Sequence, residues 1–224
     1  MSTQHDSLRQ RYEQHAIKNE YSKIDDQNIK KAASEVVDIL SETYPEHTFE
    51  KKAYLTLPQI EEFCGRKFNI DFDFSRRKLA PDGGVIWMDN KYPILITEAK
   101  RQGTNNERMA EGKEKQAIGN AIERLGKNLI GFKCLYEQEN ILPFACFCWG
   151  CDFADGTVLA KVYTLNSFYE INTIYTDVKD IINKPFTLFT KPEQAFSLEE
   201  MIIPMLKIAE YSIKYFLSKE ERVK

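Results

Sequence analysis

At 224 residues, 42% apolar and 29% charged, the chain has the composition of a water-soluble globular protein large enough for one sizeable core. No run of eighteen apolar residues occurs, which excludes a helical membrane span. The net charge of −3 argues against general adhesion to polyanions, but it hides a split: from Arg76 to Lys133 twelve Lys/Arg stand against seven Asp/Glu, and elsewhere nineteen against twenty-seven. A basic middle within an acidic chain fits a localised polyanion site, or simply a solvated face.

The N-terminal stretch "MSTQHDSLRQRYEQHAIKNEYSK" is polar throughout and lacks the apolar centre of a signal peptide, so a cytoplasmic chain is expected. Residues 1–27 read as a polar arm, partly helical. From Asn28 to Tyr44, Ile29, Ala33, Val36, Leu40 and Tyr44 recur at spacings of three and four, which predicts an amphipathic helix. Thr56-Leu57-Pro58 opens a short helix, with Thr56 as N-cap and Pro58 inside the first turn. "GGVIWMD" and "YPILITEA" read as strands joined by a turn at "DNKY". "TNNERMAEGKEK" reads as a polar connection, and a helix is expected over about 111–136. "FACFCWG" and "TVLAKVYTL" are expected to be strands. The tail from Ser197 to about Glu221 is expected to be helical, with Ser197 and Glu200 spaced as a capping box; Pro204 must kink it or mark its true start. Its apolar positions, including Met205, Ala209, Ile213 and Phe216, fit core packing better than a dimer surface. No repeat, low-complexity tract or Gly/Ser linker divides the chain, so one α/β domain over 1–224 is expected, with 1–27 as its arm.

Five cysteines (64, 134, 146, 148 and 151) are an odd count, and reduced thiols are expected. Three fall in "CFCWGC". A metal cluster and buried strand cysteines both fit that run; the absence of a nearby histidine and the strand alternation favour the second.

The stretch "PDGGVIWMDNKYPILITEAK" concentrates chemistry. Asp82 stands at the entrance of the first strand, Glu98 near the end of the second, and Lys100 two residues on, on the same strand face as Glu98. Ile94-Leu95-Ile96 is apolar on both faces, as in a strand covered on both sides. Paired strands bring the two acids and the amine to one point. Hard carboxylate oxygens there suit Mg²⁺ with retained waters and a substrate phosphate. The ion polarises a phosphodiester and acidifies a bound water, while the lysine offsets developing negative charge or helps position the water. Gly83 and Gly84 are expected to let the backbone approach a ligand closely. The bare acid spacing also fits a turn aspartate beside a surface Glu–Lys ion pair.

In the following helix, Lys113, Gln116, Arg124 and Lys127 lie within about 40° of Asn120 on a helical wheel. Ile118, Ile122, Leu125, Leu129 and Tyr136 occupy the opposite, core-directed stripe. Glu123 flanks the polar stripe, which itself contains no acid. Asn, Gln and Arg are the side chains that contact base edges in pairs of hydrogen bonds, and lysines at the rim meet phosphates. A plain cationic solvent face is the competing reading.

Three blocks, "PDGG" at 81–84, "EAKRQG" at 98–103 and "GNAIER" at 119–124 followed by "KN", resemble the EcoRI branch of the type II restriction endonucleases, within the PD-(D/E)XK nuclease superfamily. The likeness covers roughly residues 28–155. It implies a central mixed β-sheet flanked by helices, and a homodimer that cuts double-stranded DNA at a palindrome to leave 5′ overhangs with 5′-phosphates. Asp82 and Glu98, with the Ala99 carbonyl, then bind Mg²⁺, and Lys100 is the catalytic lysine. Asn120 and Arg124 read the inner adenines of an AATT core with Ala121 beside them. Gln102 approaches the central bases, Lys127 the DNA backbone, and Glu123 holds the recognition arginines. Gln116 and Ile118 depart from the family residues that read the outer base pair. GAATTC, CAATTG, a degenerate site and AATT alone therefore stay open. Two rivals share these residues: a nuclease aimed at DNA structure rather than sequence, and a non-catalytic DNA-binding domain.

Overall fold

In the computed structural model the first helix, α1, runs unbroken from Gln4 to Thr43. The backbone of the expected arm therefore continues the helix expected from Asn28. The apolar positions at helical spacing, Ile29, Ala33, Val36 and Leu40, are all buried, and this stripe docks the helix. The structure describes residues 4–67, 78–101, 110, 112, 120–150, 153, 156–164, 169–171, 174, 186–192 and 194–223; for 4–23, 120, 121, 157, 158, 163, 164, 169–171, 186 and 223 only the backbone is described.

Among the described residues six strands form one mixed sheet, β1 (Phe49–Lys52), β4 (Gly84–Met88), β5 (Tyr92–Arg101), β6 (Phe144–Trp149), β7 (Tyr169–Ile171) and β8 (Phe186–Lys191), in the order β1-β4-β5-β6-β8-β7. β1, β4 and β5 pair antiparallel; β5, β6, β8 and β7 pair parallel. A two-stranded ladder, β2 (Leu55–Thr56) with β3 (Lys78–Leu79), lies apart from it. The expected hairpin is β4–β5. Asp89 and Asn90 in its turn adopt φ of 54° and 53°, the left-handed pair whose twist matches a two-residue hairpin and which Asp and Asn tolerate. Pro93 sits where the register shifts between Ile86 and Trp87, a bulge being one of the places a strand accepts a residue without an N–H. All of β4, and β5 from Pro93 to Glu98, is buried, as expected for strands covered on both faces.

Thr56 precedes α2 (Leu57–Cys64), with Pro58 in the first turn; Gln59 Oε1 accepts from the Thr56 N–H at 2.9 Å. Parallel neighbours need a crossover, and between β5 and β6 the chain supplies α3 (Asn120–Leu135). Residues 111 and 113–119 of the expected helix lie outside the described residues. Ile122, Leu125, Leu129 and Tyr136 are buried, as the wheel requires. The expected strand "TVLAKVYTL" is instead helical as far as Thr164: α4 (Gly156–Ala160) runs into a 3₁₀ turn (Lys161–Thr164), and Leu165 lies outside the described residues. Its β-branched residues suggest a strand, but the segment lies on the connection between parallel β6 and β8, outside the sheet. Val162 is buried in the core and Leu159 packs half-buried against it, and placement overrides the local preference.

The final helix, α5 (Leu198–Val223), has Pro204 in its interior, so the proline does not mark its start. Ser197 caps it: the Glu200 N–H donates to Ser197 Oγ at 3.3 Å and the Ser197 N–H to Glu200 Oε2 at 2.8 Å. Met201, Met205, Ile208, Ala209, Ile213 and Phe216 are buried, the core-packing outcome. α5 packs on α1 and on β5, and no helix among the described residues is long and apolar enough to cross a membrane. Cys146 and Cys148 are buried on β6, while Cys151 lies outside the described residues.

Candidate active site

Glu98 is fully buried on β5, and side-chain alternation puts Lys100 on the same face. Gly84 pairs with Thr97, so Asp82, in the turn before β4, stands beside Glu98. The Gly83 N–H donates to the Thr97 carbonyl at 3.0 Å and closes the turn. Lys100 Nζ donates to Asp82 Oδ2 at 2.6 Å and forms an ion pair with Glu98 Oε1. The Asp82 N–H donates to Glu98 Oε2 at 3.0 Å. The three predicted residues therefore meet at one point, at the end of β5 away from the hairpin turn.

The glycines of "PDGG" are required by close packing within the fold. A Cβ on Gly83 would lie 2.2 Å from Thr97 Oγ1 and 2.7 Å from Ile29 Cγ1; one on Gly84, at φ +92°, would lie 2.8 Å from the Lys52 carbonyl oxygen. They let the turn close against β5, α1 and β1, and so hold Asp82 over Glu98. The same contact puts α1 on the Thr97 face of the sheet, while α3 reaches Glu98 on the other.

Burial pushes the Glu98 carboxyl above the usual carboxylate range and Asp82 adds to the rise, against the pull of Lys100. Burial draws the Lys100 ammonium down, but Glu98 and Asp82 outweigh it and hold the amine above the usual lysine range. Lys100 thus stays charged while facing both acids. Parallel pairing sets Cys146 opposite Glu98 and Cys148 opposite Lys100. Their sulfurs are 3.4 Å apart, and burial pushes the Cys146 thiol well up. The two buried cysteines lie on the strand beside Glu98 and Lys100, which accounts for two of the cysteines of "CFCWGC".

Comparison with known proteins bears on this arrangement. The family model described as restriction endonuclease EcoRI matches residues 13–222. The chain belongs to the EcoRI restriction endonuclease family. Similar relatives are the type II restriction enzyme RsrI of Cereibacter sphaeroides, 30% identical over 145 residues (58% of this chain, 52% of RsrI), and the type II restriction enzyme EcoRI of Escherichia coli, 27% identical over 153 residues (61% of this chain, 55% of EcoRI). The chain spans about half the length of the curated relatives it matches. The mixed sheet with flanking helices is the fold expected of the EcoRI family.

Of the residues with an expected role in DNA reading, Gln102, Lys113 and Gln116 lie outside the described residues. Asn120 and Ala121 open the described part of α3, with backbone alone described. Glu123, Arg124 and Lys127 are exposed on that helix, opposite its buried stripe. Ala99 lies between Glu98 and Lys100 and pairs with Phe147 of β6.

Two further groups carry no signal in their own spacing. Asn128, half-buried on α3 and the second residue of "KN", donates from Nδ2 to Glu98 Oε1 at 2.9 Å. Asp26 of α1 has its carboxyl pushed up by burial and then by the field of Asp82, with Lys30 and Lys100 opposing. Its neighbour Asp25 accepts from Trp149 Nε1 at 3.0 Å, fixing α1 to the edge of the site. The oxygens of Asp82 and Glu98 converge closely enough to share one cationic centre, Lys100 Nζ. That donor set suits a hard divalent ion. Among the described residues no third His, Cys, Asp or Glu completes a metal cluster. An ion held by these two carboxylates would complete its shell with waters and substrate phosphate, the donor set that a small hard divalent ion takes.

Proposed function

We propose that this chain is a type II restriction endonuclease: a Mg²⁺-dependent, sequence-specific hydrolase of double-stranded DNA, acting as a homodimer in the cytoplasm at a palindrome with an AATT core. The observation that carries the reading is the meeting of Asp82, Glu98 and Lys100 at the end of a buried strand, where a structural role gains little from two carboxylates. RsrI and EcoRI, both named as type II restriction enzymes, support the same reading. Asp82 and Glu98, with the Ala99 carbonyl, hold the Mg²⁺. The bound ion supplies charge neutralisation at the phosphate and a more acidic water. Lys100, fixed by both acids, offsets the charge that develops on the phosphodiester and orients the attacking water. Cleavage leaves 5′-phosphate ends and a 5′ overhang.

Site choice falls to the start of α3 and the segment before it. Asn120, Ala121, Arg124 and Gln102 are assigned to the central base edges. Lys113 and Gln116 are assigned to the same recognition role, Lys127 meets the DNA backbone, and Glu123 holds the arginines that read the bases. The exposure of Glu123, Arg124 and Lys127 on one helix above the site supports this assignment.

Digestion of a sequenced phage genome with the purified chain and Mg²⁺ tests the reading. Discrete fragments whose mapped ends share an AATT core are expected, and Glu98→Ala and Lys100→Ala are expected to lose cutting. A smear, or wild-type cutting by either variant, overturns the site.

A further inference from the structure

The Glu98 carboxylate is gripped from two elements. Oε2 accepts from the Asp82 N–H at 3.0 Å, a contact inside the β4–β5 unit, whereas Oε1 accepts from Asn128 Nδ2 at 2.9 Å, thirty residues along the chain on α3. A glutamate carboxylate turns about a broad terminal torsion, and two donors on opposite oxygens fix its plane. Lys100 also faces Oε1, but its ammonium is shared with Asp82 and has three rotatable donors, so it sets charge rather than plane. An amide facing a carboxylate must present its NH₂, since the carboxylate only accepts. Leu125, Leu129 and Phe132, all buried, lock α3 against the core on either side of Asn128. Asparagine is a mediocre helix former in a helix interior, and position 128 has no helical reason to carry one.

We propose that Asn128 is a positioning residue of the active site, whose amide sets the plane of the Glu98 carboxylate and ties it to the helix that carries Asn120 and Arg124. The three fall at i, i+4 and i+8, so one helix edge runs from the base-reading residues to the metal-binding carboxylate. This rests on the function proposed above. Removing an outer partner that orients a metal ligand typically lowers metal affinity or activity 10–100-fold.

The test compares wild type, Asn128→Ala and Asn128→Gln in three measurements: single-turnover plasmid cleavage across a Mg²⁺ titration, calorimetric titration of the DNA-free protein with Mn²⁺ alone, and thermal melting. For Asn128→Ala the expected result is a cleavage rate about 10–100-fold lower, weaker Mn²⁺ binding and a higher Mg²⁺ requirement, with melting and plasmid affinity little changed. Asn128→Gln, which keeps the amide on a longer stem, recovers part of the loss. If Asn128→Ala proves unfolded, Asn128→Ser carries the same comparison. A rate and Mn²⁺ affinity within about twofold of wild type overturn the proposal, as does a variant that melts early yet cuts normally per folded molecule. Wild-type cutting by Glu98→Ala is a separate result, which removes the site itself.

Discussion

Gly83 shows how little room separates the candidate site from its scaffold. An added methyl would lie 2.2 Å from Thr97 Oγ1 and 2.7 Å from Ile29 Cγ1, so Gly83→Ala must push the turn off β5 or α1 off the sheet. Overpacking of this kind costs about 1–3 kcal/mol, and the displaced turn carries Asp82. The expected outcome is a lower urea midpoint together with reduced plasmid cleavage. Adding Thr97→Ala recovers only part of the stability, because the Ile29 contact remains. A Gly83→Ala protein as stable as wild type would show that the close approach is not as drawn. The convergence of Asp82, Glu98 and Lys100 was legible in the sequence because it depends on short-range rules, strand alternation and pairing across a hairpin. The Asn128–Glu98 contact and the approach of Asp26 were not. They depend on where α3 and α1 sit against the sheet, which no local spacing encodes.

At the scale of elements, the β4–β5 hairpin is held from its turn. Asp89 Oδ1 accepts from the Thr48 N–H at 2.8 Å and Oδ2 lies 2.8 Å from His47 Nδ1. Burial alone raises the carboxyl, but the Thr48 and His47 bonds outweigh it and hold Asp89 below its ordinary value of 3.8. A carboxyl depressed in the folded state contributes stability that is present above the unfolded value and is lost as pH falls through the lower folded value. Asp89→Asn keeps the left-handed turn accessible but removes the charge. The variant is expected to melt below wild type near neutral pH, with the gap closing as pH drops beneath about 3.8. A gap that stays constant down to strongly acid pH refutes the charge as the cause. Elements with strong periodicity, the stretch from Asn28, the hairpin and the capped tail helix, were readable for the same reason: one face is buried and the pattern records it. The helical stretch 157–164 contradicts the strand expected there because its β-branched residues state a local preference, while its position between parallel strands decided the outcome.

At the scale of the molecule, the chemistry and the stability sit at opposite ends of the same strand. Glu98 and Lys100 lie at the end of β5 near α3 and the "PDGG" turn, whereas Tyr92, at its start, stacks on Phe216 of α5 with ring centroids 4.6 Å apart. Phe216 also meets Phe63 of α2 at 6.3 Å and Tyr215 at 5.2 Å, so it joins two helices and the sheet in one aromatic cluster. Truncating a buried phenylalanine to alanine costs about 3–5 kcal/mol, a large part of the stability of a typical domain. The cluster shares no side chain with Asp82, Glu98, Lys100 or Asn128. Phe216→Ala is therefore expected to lower the urea midpoint sharply and, at a temperature where the variant stays folded, to cut DNA at close to the wild-type rate per folded molecule. Single-turnover cleavage beside a folded-fraction measurement by circular dichroism checks this. A rate per folded molecule that falls in step with stability would mean that strand β5 transmits strain along its length, and that the catalytic end is set by the packing of the whole sheet rather than by the turn, the lysine and helix α3.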